Sequence, residues 1–263
     1  MHNTTTLRPL LAFYSDLHQI AVEDNAVALG AKVFTETTHK ALSADHRPLL
    51  LVYPPIIHTE SFIQITNQVA CYLKKHFPGL TEQVDRILSA IPTAPTQQEE
   101  FIAKIFIPGT DLTTCFDEDL HTETLNLLFS HAIKPFMRQY IAKALPESVL
   151  ESWFQGTCPV CGDKPTLAVL EKDDQGKSLY CGTCEVKWRF HRLNCPFCYS
   201  NNSQYILIEG EEKYRIYVCD QCKGYLKTIV AEYCENETLN PFIEELSTLH
   251  LDLMAVNEGY HQL

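Results

Sequence analysis

The sequence predicts an α+β protein: an all-helical N-terminal bundle, two rubredoxin-like or zinc-ribbon four-cysteine modules, and a C-terminal helix. Three observations carry the prediction. Apolar residues recur at helical spacing through the first half, the text becomes short and β-like near Gly156, and four Cys-x-x-Cys pairs follow from Cys158 onward.

In the first half, Leu10, Phe13, Tyr14, Leu17, Ile20 and Ala21 recur at spacings of three and four, which places them on one helix face. SFIQITNQVACYLKKHF and EEFIAKIF repeat the pattern. TETLNLLFSHAIKPFMRQYIAKAL carries it furthest, with Pro135 expected to bend or interrupt the helix. The proline-bearing breaks VYPPI, HFPGL, IPTAPT, FIPGT and ALPES separate about six or seven helices. This half is assigned to residues 1–156.

From Cys158 to Cys234 the apolar runs are TLAVL, QYILIEG and YRIYVC, between turn-rich segments such as KDDQGKS and SNNSQ. The cysteine pairs are 158/161, 181/184, 195/198 and 219/222. Nineteen residues separate the first two pairs and twenty the last two. That is the spacing of a metal ribbon, in which a hairpin brings a second thiolate knuckle back to complete a tetrahedron. CPVCGDKP…YCGTCEVKW and CPFCYSNN…YVCDQCKGYL also share one plan, as a duplicated ribbon does. Spacing and duplication favour sequential pairing over a cross-brace. Cys158, Cys161, Cys181 and Cys184 then form one site, and Cys195, Cys198, Cys219 and Cys222 a second. The modules are assigned to 157–192 and 193–236, with EVKWRFHRLN as the connector between their sites. A helical pattern opening at Pro241 fills 237–263 and is expected to pack on the preceding domains. Two metal ions are implied, zinc or a rubredoxin-like iron, since four thiolates suit both.

Composition narrows the function. The chain has 263 residues, 45% of them apolar, and a formal net charge of −12. No run suits a membrane helix, and the first residues lack the pattern of a signal peptide. A cytoplasmic location is expected, where clustered cysteines hold metal rather than form disulfides. The acidic balance disfavours nucleic acid. Lys187, Arg189, His191 and Arg192 interleave with Trp188 and Phe190. Ten basic residues between Cys158 and Cys234 are nevertheless matched by ten acidic ones, so this strip is read as a protein-docking face. Asp252, between apolar neighbours, is a second candidate contact with a partner. Cys71 is expected in the helical core, and Cys115 and Cys234 have no sequence partner. Closed thiolate sites staple small domains and do no chemistry, and no phosphate loop, metalloprotease helix or nucleophile elbow is present. A non-enzyme is expected.

CPVCGDKP, CGTCEVKWRFHRLNCPFC, CDQCKGYLK and LDLMAVNEGY, in this order over about the last hundred residues, resemble the FdhE-type formate dehydrogenase accessory proteins. LRPLLAFYSDL adds a weaker likeness in the first half. The resemblance implies a cytoplasmic maturation factor that binds the catalytic subunit of formate dehydrogenase before export, with iron at the eight paired cysteines. An electron-transfer protein acting on a partner enzyme is the alternative, and a zinc-ribbon nucleic-acid binder ranks below it. Tyr199 departs from the glycine common after a metal knuckle, so a different turn is expected there.

Overall fold

The structure, a computed structural model, describes residues 4–30, 46–116, 120–145, 147–173, 176–201, 203–234 and 240–263. It divides into two compact units. The first takes in the chain up to residue 33 and residues 50–145, and the second takes in residues 146–263 with the short segment that ends at Leu49.

The first unit is built from α1 (Thr4–His18), α3 (Thr59–His76), α4 (Thr81–Ala90), α5 (Pro95–Ile105) and α6 (Thr122–Ala144). The short helix α2 (Leu49–Val52) leads into it. Its core is aromatic: Phe62 lies 5.6 Å from Phe136 and 6.4 Å from Phe129, and Phe129 lies 5.6 Å from Phe101. Aromatic pairs of this kind add to the area that they bury. Pro135 does not end α6. An internal proline costs a helix about 3 kcal/mol. Here Leu128, Phe129, Phe136, Met137 and Tyr140, all buried, hold both sides of it in the core. One feature lies outside the expected bundle. β1 (Val27–Leu29) pairs antiparallel with β2 (Pro55–Ile57), and the last turns of α6 fasten the chain beside it. Lys143 donates to the carbonyls of Asp24 and Val27, and the Tyr140 hydroxyl donates to that of Tyr53.

Cys71 corrects an expectation. It is exposed, because α3 buries Phe62, Ile65, Thr66, Val69, Ala70 and Leu73, and position 71 falls one step past that stripe.

The second unit is a single six-stranded sheet in the order β5-β4-β3-β8-β7-β6. Its strands are β3 (Leu167–Leu170), β4 (Lys177–Tyr180), β5 (Lys187–Phe190), β6 (Ser203–Leu207), β7 (Tyr214–Cys219) and β8 (Tyr225–Val230). Each ribbon is an antiparallel meander. The two join where β3 runs parallel to β8, with Leu167 opposite Lys227 and Leu170 opposite Val230. The central strands β3, β4 and β8 are buried along their whole length, as strands flanked on both faces must be. Part of the expected connector is itself sheet: Lys187–Phe190 forms the edge strand β5.

Helix α7 (Glu147–Ser152) precedes the first knuckle, and α8 (Pro241–Ser247) and α9 (Leu249–Asn257) follow the sheet. Pro241 is the first helical residue, and Thr248 divides the C-terminal pattern into two helices. Leu251 and Ala255 of α9 pack on Ile216, Val218 and Tyr225 of the sheet. Among the described residues no helix is long and apolar enough to cross a membrane.

Candidate metal centres

Four knuckles of one design carry the paired cysteines. In each, the residue after the second cysteine donates its N–H to the carbonyl of the first: Gly162 to Cys158, Glu185 to Cys181, Tyr199 to Cys195 and Lys223 to Cys219, at 2.8–2.9 Å. The first cysteine's own N–H returns to the next carbonyl, of Asp163, Val186, Ser200 or Gly224. Closing so tight a loop needs a left-handed residue, and all four have it, with φ of 83° at Gly162, 64° at Glu185, 61° at Tyr199 and 56° at Lys223. Tyr199 therefore forms the same turn as the others. Its hydroxyl accepts from the Gly156 N–H and donates to Gln155, which offsets the strain of a left-handed side chain.

The hairpins then fold the knuckles together in sequence. The sulfurs of Cys158, Cys161, Cys181 and Cys184 all lie within 4.8 Å of one another, and so do those of Cys195, Cys198, Cys219 and Cys222. Cys158 is 3.3 Å from Cys184, and Cys161 is 3.4 Å from Cys181. In the second set, Cys195 is 3.7 Å from Cys222, and Cys198 is 3.6 Å from Cys219. Four thiolates at about 2.3 Å from a metal are about 3.8 Å apart, so both sets have the size and chemistry of a tetrahedral site. Either could hold one metal ion.

The thiols cannot all ionise without a cation between them. Hydrogen bonds from Cys158, Cys161 and Cys184 hold Cys181 well below its ordinary value, while burial pushes Cys158 well above it. In the second set burial acts against Cys219. Hydrogen bonds from Ser200 and from the N–H groups of Cys222 and Gln221 outweigh it and bring the thiol down to about 6. A divalent ion would remove the conflict by compensating all four charges.

The sets differ in exposure. All four cysteines of the first are buried, whereas Cys198 and Cys222 of the second are half-exposed. Ser200 was not singled out in the sequence. Its hydroxyl lies 3.4 Å from the Cys198 sulfur and 3.2 Å from that of Cys219, and a serine two residues past a knuckle was the available signal. The C-terminal LDLMAVNEGY segment gains a role as well. Beyond it, His261 donates its N–H to Lys223 and accepts from that of Tyr225, and the Tyr260 hydroxyl donates to Asp220, so the chain end braces the fourth knuckle. Gly224 permits this. A Cβ there would lie 2.6 Å from Leu263 and 2.9 Å from Phe197. Cys234 packs against the apolar cluster of Leu167, Val169, Tyr180 and Ile229. Cys115 is half-buried, and burial raises its thiol.

The proposed docking residues are placed as follows. Lys187 is exposed and pairs with Glu171 at 3.0 Å, and Arg189 is 3.9 Å from Glu151. Both line a groove with Glu147, Glu151, Glu171 and Asp173, whose carboxylates outnumber its cations and leave no field for a polyanion. His191 is exposed and stacks on Phe154 at 5.0 Å, and Arg192 is exposed beside it. Asp252 lies apart from this strip and is bound within the fold, by Tyr225 and Lys227.

The chain is similar to known proteins. Residues 157–192 match the family model described as FdhE, central domain, and residues 193–263 match FdhE, C-terminal domain. A protein FdhE homolog from Aquifex aeolicus is 25% identical over 155 residues, 57% of this chain and 53% of that one. One from Shewanella baltica is 31% identical over 110 residues, 40% of this chain and 36% of the relative. The chain thus spans about half of the first relative and about a third of the second. The crystal structure of the FdhE protein from Pseudomonas aeruginosa has the same fold, with a TM-score of 0.63 at 17% identity, over 97% of this chain and 84% of that one. Through residues 157–263, which the two family models cover without a gap, the chain resembles the FdhE family.

Proposed function

We propose that the protein is a metal-binding accessory factor for formate dehydrogenase. It binds the catalytic subunit in the cytoplasm and assists its maturation before export, without itself being an enzyme. The observation that carries this reading is the pair of complete four-cysteine sets in the stretch that both FdhE models match. Each set, Cys158/Cys161/Cys181/Cys184 and Cys195/Cys198/Cys219/Cys222, binds one ion, iron or zinc. The edge strand with Lys187 and Arg189, together with His191 and Arg192, presents a mixed-charge surface with an aromatic neighbour, Phe154. Such a surface suits a folded protein client better than a nucleic acid. Asp252, held by Tyr225 and Lys227 with its side chain 24% exposed, is a second point of contact with the client. The test is anaerobic co-purification of the metal-loaded protein with a formate dehydrogenase catalytic subunit. A stable complex is expected, and its absence with both ions bound overturns the proposal.

One observation favours a second reading, electron transfer to the client. Two ligands of the second set, Cys198 and Cys222, are half-exposed, which brings an iron there close to a partner's surface. A visible sulfur-to-iron band that bleaches reversibly with reductant supports that role, and a colourless zinc protein eliminates it.

A further inference from the structure

Lys177 lies on β4, within the hairpin of the first ribbon, yet its side chain serves the second. The residue is 2% exposed, and its ammonium donates to the carbonyl of Asn194 at 2.7 Å, one residue before Cys195. It stands 5.2 Å from the Phe190 ring centre and 5.6 Å from that of Tyr217. Lys177, Cys195 and Cys219 line the same narrow cavity. Other lysines of this unit have carboxylate partners: Glu171 for Lys187, Glu244 for Lys213, Asp220 for Lys223 and Asp252 for Lys227. Among the described residues no carboxylate pairs with Lys177.

A buried ammonium is costly unless negative charge lies close. Four thiolates around a divalent ion leave a net charge of about −2, which in turn needs a cation where water is excluded. The two needs match. We propose that Lys177 is the internal counter-ion of the second four-cysteine centre, supplied to it by the first ribbon.

This inference rests on the second set holding a metal. The test loads the full-length protein with cobalt(II), mixes it with excess EDTA and follows the decay of the sulfur-to-cobalt absorption. Two phases are expected, with alkylation mapping assigning the faster to the half-exposed second set. Lys177→Met, which keeps the apolar stem, should speed that phase by about tenfold or more and leave the slower one unchanged. Acceleration of neither phase, or of both equally, overturns the proposal. If the Met variant does not fold, the wild-type protein decides through its 13C-labelled lysine ε-methylene signals. Cobalt in the second centre should shift one of them far more than the rest, and no such signal overturns the proposal. Fewer than two ions per chain overturns the metal reading and this inference with it. Two ions with unaltered kinetics overturn the role of Lys177 alone.

Discussion

Lys227 and Asp252 form an ion pair of 2.8 Å between the central strand β8 and helix α9, with the lysine side chain 4% exposed and the aspartate 24%. The same ammonium donates to the Glu245 carbonyl, and the Tyr225 hydroxyl donates to the other carboxylate oxygen. Breaking so enclosed a pair from one side leaves the partner charge buried. Asp252→Ala is expected to cost about 3 kcal/mol in urea unfolding, and Lys227→Met with Asp252→Leu should recover most of it. Equal losses for the single and double variants would show that packing of α9, rather than charge, is responsible.

His131 is expected to make the first unit sensitive to acid. It lies edge-on to Phe13 at 5.7 Å and Tyr14 at 5.4 Å, and burial, with Lys134 nearby, lowers its pKa from 6.5 to about 3. The unfolded chain therefore takes up a proton in a range where the folded one does not. Stability should fall as pH drops from about 6.5 towards 3, by at most about 1.4 kcal/mol per unit. His131→Phe, which keeps the aromatic packing, should flatten that slope when unfolding is measured from pH 7 to pH 4. An unchanged slope would assign the acid sensitivity to other groups.

The unequal exposure of the two sets predicts an order of chemical attack. After metal removal under reducing conditions, iodoacetamide should modify Cys71 first and Cys198 and Cys222 next. Cys158, Cys161, Cys181 and Cys184 should follow on the order of tenfold later. Peptide mass spectrometry over time reads this directly. Simultaneous labelling of all eight ligands would mean that the ribbons open without metal.

The left-handed knuckle residues predict a gain of stability. Lys223 has φ of 56°, and its ion pair with Asp220 is half-exposed on both sides, so it contributes little. Lys223→Gly should stabilise the metal-loaded protein by about 1 kcal/mol, measured as a rise in denaturant midpoint. Tyr199→Gly should show no such gain, because it also loses the hydroxyl bonds to Gly156 and Gln155.

The cysteine sets were legible in the sequence because hairpin spacing is local information: about twenty residues suffice to bring one knuckle back to another. Helical periodicity revealed most of the first unit for the same reason. Other features depend on distant partners. The exposure of Cys71 turns on one step of helical phase, and Pro135 stays in a helix because the core around Phe136 and Tyr140 outweighs its cost. The β1–β2 ribbon joins residues on either side of α2, each strand too short to carry a pattern. The reach of Lys177 from one ribbon to the knuckle of the other has no signature in spacing, since it follows from how the two meanders meet.

That meeting, along β3 and β8, makes the ribbon pair one cooperative object. The two family models divide at 192/193, but the sheet spans that point. A chain cut there leaves Leu167–Leu170 with an open, fully apolar edge, a template for aggregation. Its two pieces are expected to behave as halves of a split protein, each needing the other to cover that edge. The smallest portion expected to be expressed or exchanged intact is the whole stretch with both four-cysteine sets.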